Sequence, residues 1–178
     1  MRQFFVYSLL GSDRAGLVDQ VTDVLRRNAA NLEDSRMAVL GEEFAMMILC
    51  SVAEEKAQTL EVEMREAAKK LKLLLQCKPT SSRKAGQHMV PLLIEVMGMD
   101  DEGIVNDVVH HLLEQGISVE NLDSQVVNAP YSGVPLFEMR IRVHAPASIS
   151  LASLRKQLQG VADKLNVDIE VRASASKN

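Results

Sequence analysis

The feature that most constrains this chain is a turn pattern that occurs twice. Residues 11–18 read Gly-Ser-Asp-Arg-Ala-Gly-Leu-Val and residues 98–105 read Gly-Met-Asp-Asp-Glu-Gly-Ile-Val, a separation of 87 residues (98 minus 11). Each copy follows a short apolar run and precedes apolar residues at helical spacing. A strand-to-helix turn leaves backbone N–H groups at a helix N-terminus, where an anionic group can bind. The sequence therefore predicts two copies of one unit, each with a candidate ligand site at this turn.

The order of elements is the same in both copies. The first copy has helical stripes at 17–28 and 60–71, and strand-like runs at 4–10, 32–40, 44–52 and 73–77. The second copy has helical stripes at 104–112 and 154–165, and strand-like runs at 92–97, 118–127, 137–143 and 167–171. The order βαββαβ is typical of a ferredoxin-like unit, with a four-stranded antiparallel sheet and both helices on one face. The predicted fold class is α+β.

Polar, Ser-rich sequence separates the two copies. We expect a first unit at 1–79, a linker at 80–89, a second unit at 90–173 and a disordered tail at 174–178. The second copy carries extra residues in its hairpin near 128–133. Units of about 80 residues bury only a marginal core, and four-stranded sheets leave open edges. We therefore expect the halves to pack together and the chain to form at least a homodimer.

Composition narrows the classes of function. The net charge is −4 and neither half is basic, which argues against direct nucleic-acid binding. The N-terminus shows no targeting signal and no apolar run has the length of a membrane span, so we expect a cytoplasmic protein. Cys50 and Cys77 are the two cysteines, and we expect reduced thiols rather than a disulfide.

Chemistry-bearing clusters are few. His110 and His111 are adjacent and point apart on a helix, so they do not predict a metal site. The acidic run 100–102 lacks the wider ligand spacing of a calcium loop. No spacing suggests a nucleophile with a base, so we expect no catalytic site, no cofactor and no enzymatic activity.

Both copies resemble ACT domains, which are small-molecule-sensing regulatory modules, most often for amino acids. The resemblance rests on the Gly-x-Asp-x-x-Gly-aliphatic turn after strand one and covers nearly the whole chain. The layout, together with residues 34–38 and 41–44, resembles the glycine cleavage system transcriptional repressor group. Two departures stand out: Ala15 and Glu102 occupy the position where the family usually has Pro, and Ser118 stands in place of Asn.

The resemblance implies ligand contacts at the turn's polar residue, at its Gly, and at an Asn just before strand two. Together with their neighbours in the turn, the implied ligand-binding residues are Asp13, Arg14, Gly16, Leu17, Asn31, Asp100, Gly103, Ile104 and Ser118. Alternatives stay open for several of them. Asp13 and Asp100 could cap their helices, and the glycines could serve tight packing only.

The chemistry of these residues suits an amino acid. Asp13 can hold an ammonium group, and N–H groups near Gly16 can hold a carboxylate. Asn31 supplies a donor and an acceptor, and we expect it to lie beside the turn, in a pocket at a domain interface. The sequence thus suggests a sensor of glycine or serine that controls a partner transcription factor by protein contact. A regulatory subunit acting in trans on an amino-acid metabolic enzyme is the alternative.

Overall fold

The computed structural model describes residues 1–81, 89–129 and 133–174, and the chain divides into two compact units, Met1–Lys84 and Ala85–Asn178. The first unit contains β1 (Arg2–Ser12), α1 (Leu17–Arg27), β2 (Asn31–Leu40), β3 (Glu43–Ala53), a 3₁₀ turn (Glu54–Lys56), α2 (Ala57–Leu71) and β4 (Leu74–Thr80). The second unit contains β5 (Met89–Met99), α3 (Ile104–Glu114), β6 (Ser118–Asn128), β7 (Pro135–Pro146), α4 (Leu151–Leu165) and β8 (Val167–Ala173).

Each unit forms one four-stranded antiparallel sheet. The strand order is β2-β3-β1-β4 in the first unit and β6-β7-β5-β8 in the second. In each unit the first and third strands lie in the interior of the sheet, and the second and fourth strands form its edges. The predicted βαββαβ order, the antiparallel sheets and the α+β class are confirmed.

The core of each unit lies between one face of its sheet and its two helices. In β1, alternate residues Phe5, Tyr7 and Leu9 are buried against the helices. The stripe on α1 that faces them consists of Leu17, Val21, Val24 and Leu25. The second unit repeats this arrangement with an all-aliphatic β5, where Leu92, Ile94 and Val96 are buried. Period-two burial in the strands and a 3.6-residue stripe in the helices fix which face each element buries.

The strands are longer than the apolar runs that predicted them. Thr80 ends β4 and Met89 begins β5, so the predicted 80–89 linker overlaps a strand at both ends. Pro79 fits in β4 because this strand is an edge, where a residue without an N–H is tolerated. Residues 82–88 of the linker lie outside the described part of the chain.

The extra residues of the second hairpin and the predicted tail also lie partly outside the described residues. Residues 130–132 of the longer second hairpin and residues 175–178 of the predicted tail are not described. Ser174, predicted to begin the tail, donates its backbone N–H to the carbonyl of Pro91 at 3.0 Å, so it still pairs with β5.

Candidate functional site

The turn between β1 and α1 ends in a left-handed glycine. Gly16 is the N-cap of α1 with φ 86° and ψ 4°, and no side chain caps the helix. Its carbonyl accepts the backbone N–H of Gln20 at 3.1 Å, which is the first hydrogen bond of the helix. The first N–H groups of a helix have no partner within it and carry the positive end of its dipole. The turn therefore leaves the first N–H groups of α1 without a side-chain cap.

Two contacts fix this turn against the rest of the unit. The backbone N–H of Asp13 donates to the carbonyl of Glu42, in the β2–β3 hairpin, at 2.8 Å. Nη2 of Arg14 donates to the carbonyl of Leu71, the last residue of α2, at 2.8 Å. A cation at the C-terminus of a helix is also favoured by the helix dipole. Arg14 thus joins the turn to α2, while the side chain of Asp13 is exposed.

The aliphatic residues after the glycine face the core. Leu17 and Ile104 are each 2% exposed and pack in the cores of their own units. We predicted that both contact a ligand, and their burial excludes a ligand contact by their side chains. The alternative that Asp13 and Asp100 cap their helices has no support. Gly16 and Gly103 are the N-cap residues, and no side chain makes a capping hydrogen bond to either helix.

Asn31 lies at the opposite end of the sheet from the turn. It is the first residue of β2 and pairs with Ser51, which in turn pairs with Phe4 near the start of β1. The turn follows Ser12, eight residues further along β1 (12 minus 4). At about 3.4 Å per residue, the separation is about 27 Å. The prediction that Asn31 lies beside the turn is wrong, because α1 runs antiparallel to β1 and returns the chain to the far end.

The second unit repeats this separation. Ser118 begins β6 and pairs with His144, which pairs with Pro91 near the start of β5. The turn containing Gly103 follows Met99 at the other end of the strand. A single unit therefore does not bring Ser118 together with the turn.

Asn31 instead belongs to a polar cluster at its own end of the sheet. Its amide donates to Glu33 at 3.0 Å, and the buried hydroxyl of Ser51 donates to the same carboxylate at 2.5 Å. Arg2 closes the cluster by donating to the hydroxyl and the carbonyl of Ser51. The hydrogen bonds from Ser51 and Asn31 hold the pKa of Glu33 below its ordinary value. These groups satisfy one another, which is the arrangement of a structural cluster.

The turn of the second unit has the same backbone and a different charge. Gly103 is the N-cap of α3 with φ 88° and ψ −6°. The preceding residues are Asp100, Asp101 and Glu102, and the Asp101 carboxylate accepts the backbone N–H of Glu102 at 2.8 Å. Three carboxylates in front of the helix disfavour a second anion there. No arginine corresponds to Arg14 in this turn.

A groove on the helix side of the first unit is lined by residues of α1 and α2 and by none of the turn. It has a volume of about 400 Å³ and lies between α1 and α2, with Gln20 and Leu71 among its lining residues. Gln20 reaches the turn by donating its side-chain amide to the Gly16 carbonyl at 3.3 Å. Asp19 and Lys70 also line the groove, so groups of both charges are present. Its size falls within the range of small-molecule sites.

The sequence analysis did not predict the tight packing behind each turn. A Cβ on Gly11 would lie 2.9 Å from Leu73 Cδ2, and one on Gly98 would lie 2.6 Å from Val167 Cγ1. The available signal was that this position is Gly in each copy of the pattern. The first Gly of the pattern is therefore required because Leu73, just before β4, and Val167, the first residue of β8, approach it closely.

Cys50 and Cys77 are free thiols in the first unit, as expected. They pair with Phe5 and Tyr7 from opposite sides of β1, so their Cα atoms are at least about 9.6 Å apart, beyond the roughly 7 Å limit for a disulfide. Burial raises the pKa of the Cys50 thiol to about 11, and it also raises the pKa values of Cys77 and Tyr7. These groups stay protonated near neutral pH, which does not suit a nucleophile.

The described residues contain neither a metal-binding cluster nor a membrane-spanning helix. Within 1–81, 89–129 and 133–174, no three His, Cys, Asp or Glu side chains are arranged to hold a metal ion. No helix in this part of the chain has the length and apolar character needed to cross a bilayer.

Comparison with known proteins gives three findings. The ACT domain family matches residues 3–78 and 90–172, which are the two units. The glycine cleavage system transcriptional repressor of Escherichia coli (strain K12) is 25% identical over 165 residues, covering 93% of this chain and 87% of that protein. An unknown protein from Galdieria sulphuraria has a crystal structure that matches with a TM-score of 0.85 at 30% identity, covering 98% of this chain and 100% of that one.

A further crystal structure shares the fold. It belongs to a protein provisionally described as a glycine cleavage system transcriptional repressor, and it matches with a TM-score of 0.73 at 20% identity. The match covers 99% of each chain, so the tandem arrangement of two units is common to both.

Proposed function

The chain belongs to the ACT domain family, and from that premise we propose that it is a non-enzymatic regulatory protein that senses a small amino acid. The ligand is of the glycine or serine class. Binding alters contact with a partner transcription factor, as in regulation of the glycine cleavage system. The observation that carries the proposal is the alignment with the Escherichia coli repressor, which covers 93% of this chain and includes both units.

The turn of the first unit is the proposed ligand site. N–H groups after Gly16 are the proposed donors to the ligand carboxylate, and glycine at this left-handed position puts no side chain over them. The exposed Asp13 carboxylate is the proposed partner of the ligand ammonium group. Arg14, whose guanidinium donates to the Leu71 carbonyl, gives the turn a positive charge. The turn thus offers complementary groups for both charges of an amino acid.

The size of the groove between α1 and α2 favours a small ligand. A volume of about 400 Å³ lies near the lower end of the range for small-molecule sites. Gln20 lines this groove and also contacts the Gly16 carbonyl, so it connects the groove to the turn.

The second turn is proposed to bind the ligand poorly. Asp100 corresponds to Asp13, but Asp101 and Glu102 add two negative charges where the first turn has Arg14 and Ala15, and like charges disfavour a ligand carboxylate beside them. Gly103 retains the backbone geometry, which keeps the unit folded in the same way. We therefore propose one amino-acid site per chain.

A protein partner fits the charge of the chain better than DNA does. The net charge is −4, whereas direct DNA binding depends on a basic surface that neutralises phosphates. The proposed regulation therefore acts through another protein that contacts DNA. The proposal includes no chemical step, and the burial that keeps the Cys50 thiol protonated is consistent with this.

A thermal-shift screen of the twenty amino acids tests the proposal. A ligand present at 100 times its Kd stabilises a protein by about 2.7 kcal/mol, which is readily detected. Glycine or serine is expected to raise the melting temperature more than the large apolar amino acids do. A screen in which no amino acid raises the melting temperature would contradict the proposed sensing function.

A further inference from the structure

One edge of the second sheet is formed by β8. In an antiparallel pair, residues that exchange hydrogen bonds with the neighbouring strand alternate with residues whose N–H and C=O groups point away from it. The backbone N–H of Ser174 donates to the carbonyl of Pro91 at 3.0 Å and continues the register of β8 on β5. Counting back from this hydrogen-bonded pair, the residues that point their backbone groups away from β5 are Ile169, Val171 and Ala173. We call this row of outward groups the β8 edge.

A side chain of the same unit occupies the centre of the β8 edge. Arg155, on α4, donates from Nε and Nη2 to the carbonyl of Val171 at 3.0 and 2.8 Å. An added strand would need this carbonyl as an acceptor, because strands pair through the outward N–H and C=O groups of an edge. Val171 is the middle one of the three outward residues. A strand that pairs along the β8 edge must therefore displace the guanidinium group.

The equivalent edge of the first unit loses a backbone group in a different way. Glu61 stands on α2 at the position of Arg155, accepts hydrogen bonds from Arg65, and as a carboxylate cannot donate to a carbonyl. Pro79 of β4 corresponds to Ala173 and has no N–H to offer to an added strand. Each sheet thus has one backbone group of this edge withdrawn from pairing, a donor in the first unit and an acceptor in the second.

We propose that Arg155 closes the β8 edge to strand addition and so prevents two copies of this chain from pairing through β8. An open edge is a template for pairing with another chain, and natural sheets block their edges with charged side chains, proline or cover. Two copies related by a two-fold axis could otherwise pair β8 with β8 in antiparallel fashion. The contact between Arg155 and Val171 is therefore inhibitory, and it acts in the second unit, away from the turn of the first unit.

Sedimentation equilibrium of the intact chain from about 1 to 100 µM tests the proposal. Arg155→Met keeps an unbranched side chain and removes the hydrogen-bond donors. Its self-association constant is expected to exceed that of the wild type at least about tenfold, because pairing no longer breaks hydrogen bonds from a charged group. Arg155 is exposed, so the variant should remain folded, which circular dichroism checks. Self-association of Arg155→Met no stronger than that of the wild type overturns the proposal.

Lys156→Met is the matched control. Lys156 is the next residue of α4 and is also exposed, and its replacement makes the same change in charge and adds the same side chain. Its self-association should stay at the wild-type level. An equal increase in Lys156→Met and Arg155→Met would trace the effect to charge or added apolar surface, which overturns the role of the Val171 carbonyl.

Transfer of the first unit's proline tests whether the new contact runs through β8. Ala173→Pro removes an N–H that points away from β5, so the sheet loses no hydrogen bond of its own. Added to Arg155→Met, it should reverse most of the increase in self-association. Undiminished self-association in the double variant places the contact elsewhere and overturns the proposal. These measurements use no amino acid, so their failure is separate from a failure of the proposed sensing function.

Discussion

At the turn after its first strand, the first unit carries Asp13 and Arg14, whereas the second carries Asp100, Asp101 and Glu102. The backbones agree, since the glycine that follows has φ 86° in one unit and 88° in the other. The difference teaches that the fold maintains the turn's shape while the charges beside it are free to change. Under the proposed function, a ligand with a carboxylate would therefore bind the two turns with different affinity.

The cores differ in the same way. Tyr7, Cys50 and Cys77 of the first unit correspond to Ile94, Val143 and Val171 of the second. The hydroxyl of Tyr7 is fully buried, and the thiols flank it on the neighbouring strands. The second unit shows that aliphatic side chains fill this layer, so the polar groups of the first unit are not required for folding.

The largest effect is expected from Gly16→Val. A β-branched residue at φ 86° is strained, and a left-handed non-Gly residue destabilises a protein by about 1–3 kcal/mol. The new side chain also covers the N–H groups proposed to bind the carboxylate, so amino-acid affinity should be lost. Urea unfolding and calorimetric titration measure the two effects.

Gly103→Val is the matched control for this change. Its φ of 88° predicts a similar loss of stability in the second unit, while amino-acid affinity should stay within about twofold of wild type, a difference of about 0.4 kcal/mol. Loss of affinity in Gly103→Val equal to that in Gly16→Val would mean that both turns bind ligand.

Exchange of the turn charges should have the next largest effect. Arg14→Asp gives the first turn an acid found in the second, and should weaken amino-acid binding by about tenfold, or about 1.4 kcal/mol, because it replaces a positive charge in the turn with a negative one. Asp101→Arg is the reciprocal variant and should not weaken binding. Calorimetry with glycine and serine compares them, and unchanged affinity in Arg14→Asp would remove the arginine from the site.

A smaller effect, on the free energy of unfolding, is expected at alkaline pH, and it arises only in the first unit. Burial raises the pKa of Cys50 to about 11, so the stability it contributes is present below its unfolded pKa of about 8.5 and is lost as pH rises through 11. Between pH 7.5 and 9.5 the wild type should lose about 1 kcal/mol more than Cys50→Val, which carries the residue of the second unit. Urea unfolding in reductant measures the difference, and parallel pH profiles would refute the assignment.

The smallest effect is expected from Asn31→Ala. Its amide donates to the exposed Glu33, so its loss should reduce stability by about 0.5–1 kcal/mol and leave amino-acid affinity unchanged. Ser118→Ala, at the equivalent position, should change neither quantity. A tenfold loss of affinity in Asn31→Ala would show that the far end of the sheet contributes to the site.

Much of the fold could be predicted because local patterns determine it. Alternation in 167–171 and the stripe at Leu17, Val21 and Leu25 each follow from the period of one element, and the repeat supplies the same evidence twice. Strand ends were less predictable. Pro79 reads as a break in sequence, and only the edge position of β4 makes it compatible with a strand.

The site could be predicted only where its residues are close in sequence. Gly16 and Asp13 belong to one turn, so their proximity is guaranteed. Asn31 required knowledge of which end of the sheet the chain reaches after α1, and the helix carries it away from the turn by its own length of about 16 Å. The contact of Arg14 with Leu71 spans 57 residues and leaves no local signal.

Calorimetric titration of the intact wild-type chain with glycine and with serine tests the central claim most directly, because it counts sites. The units differ in the charge of their turns, so the account predicts one amino acid bound per chain. Arg14→Asp should abolish or greatly weaken that binding, and Asp101→Arg should preserve it. Two equivalent amino acids bound per chain, or no binding of either ligand at millimolar concentration, would contradict the claim that the first turn alone is an amino-acid sensor.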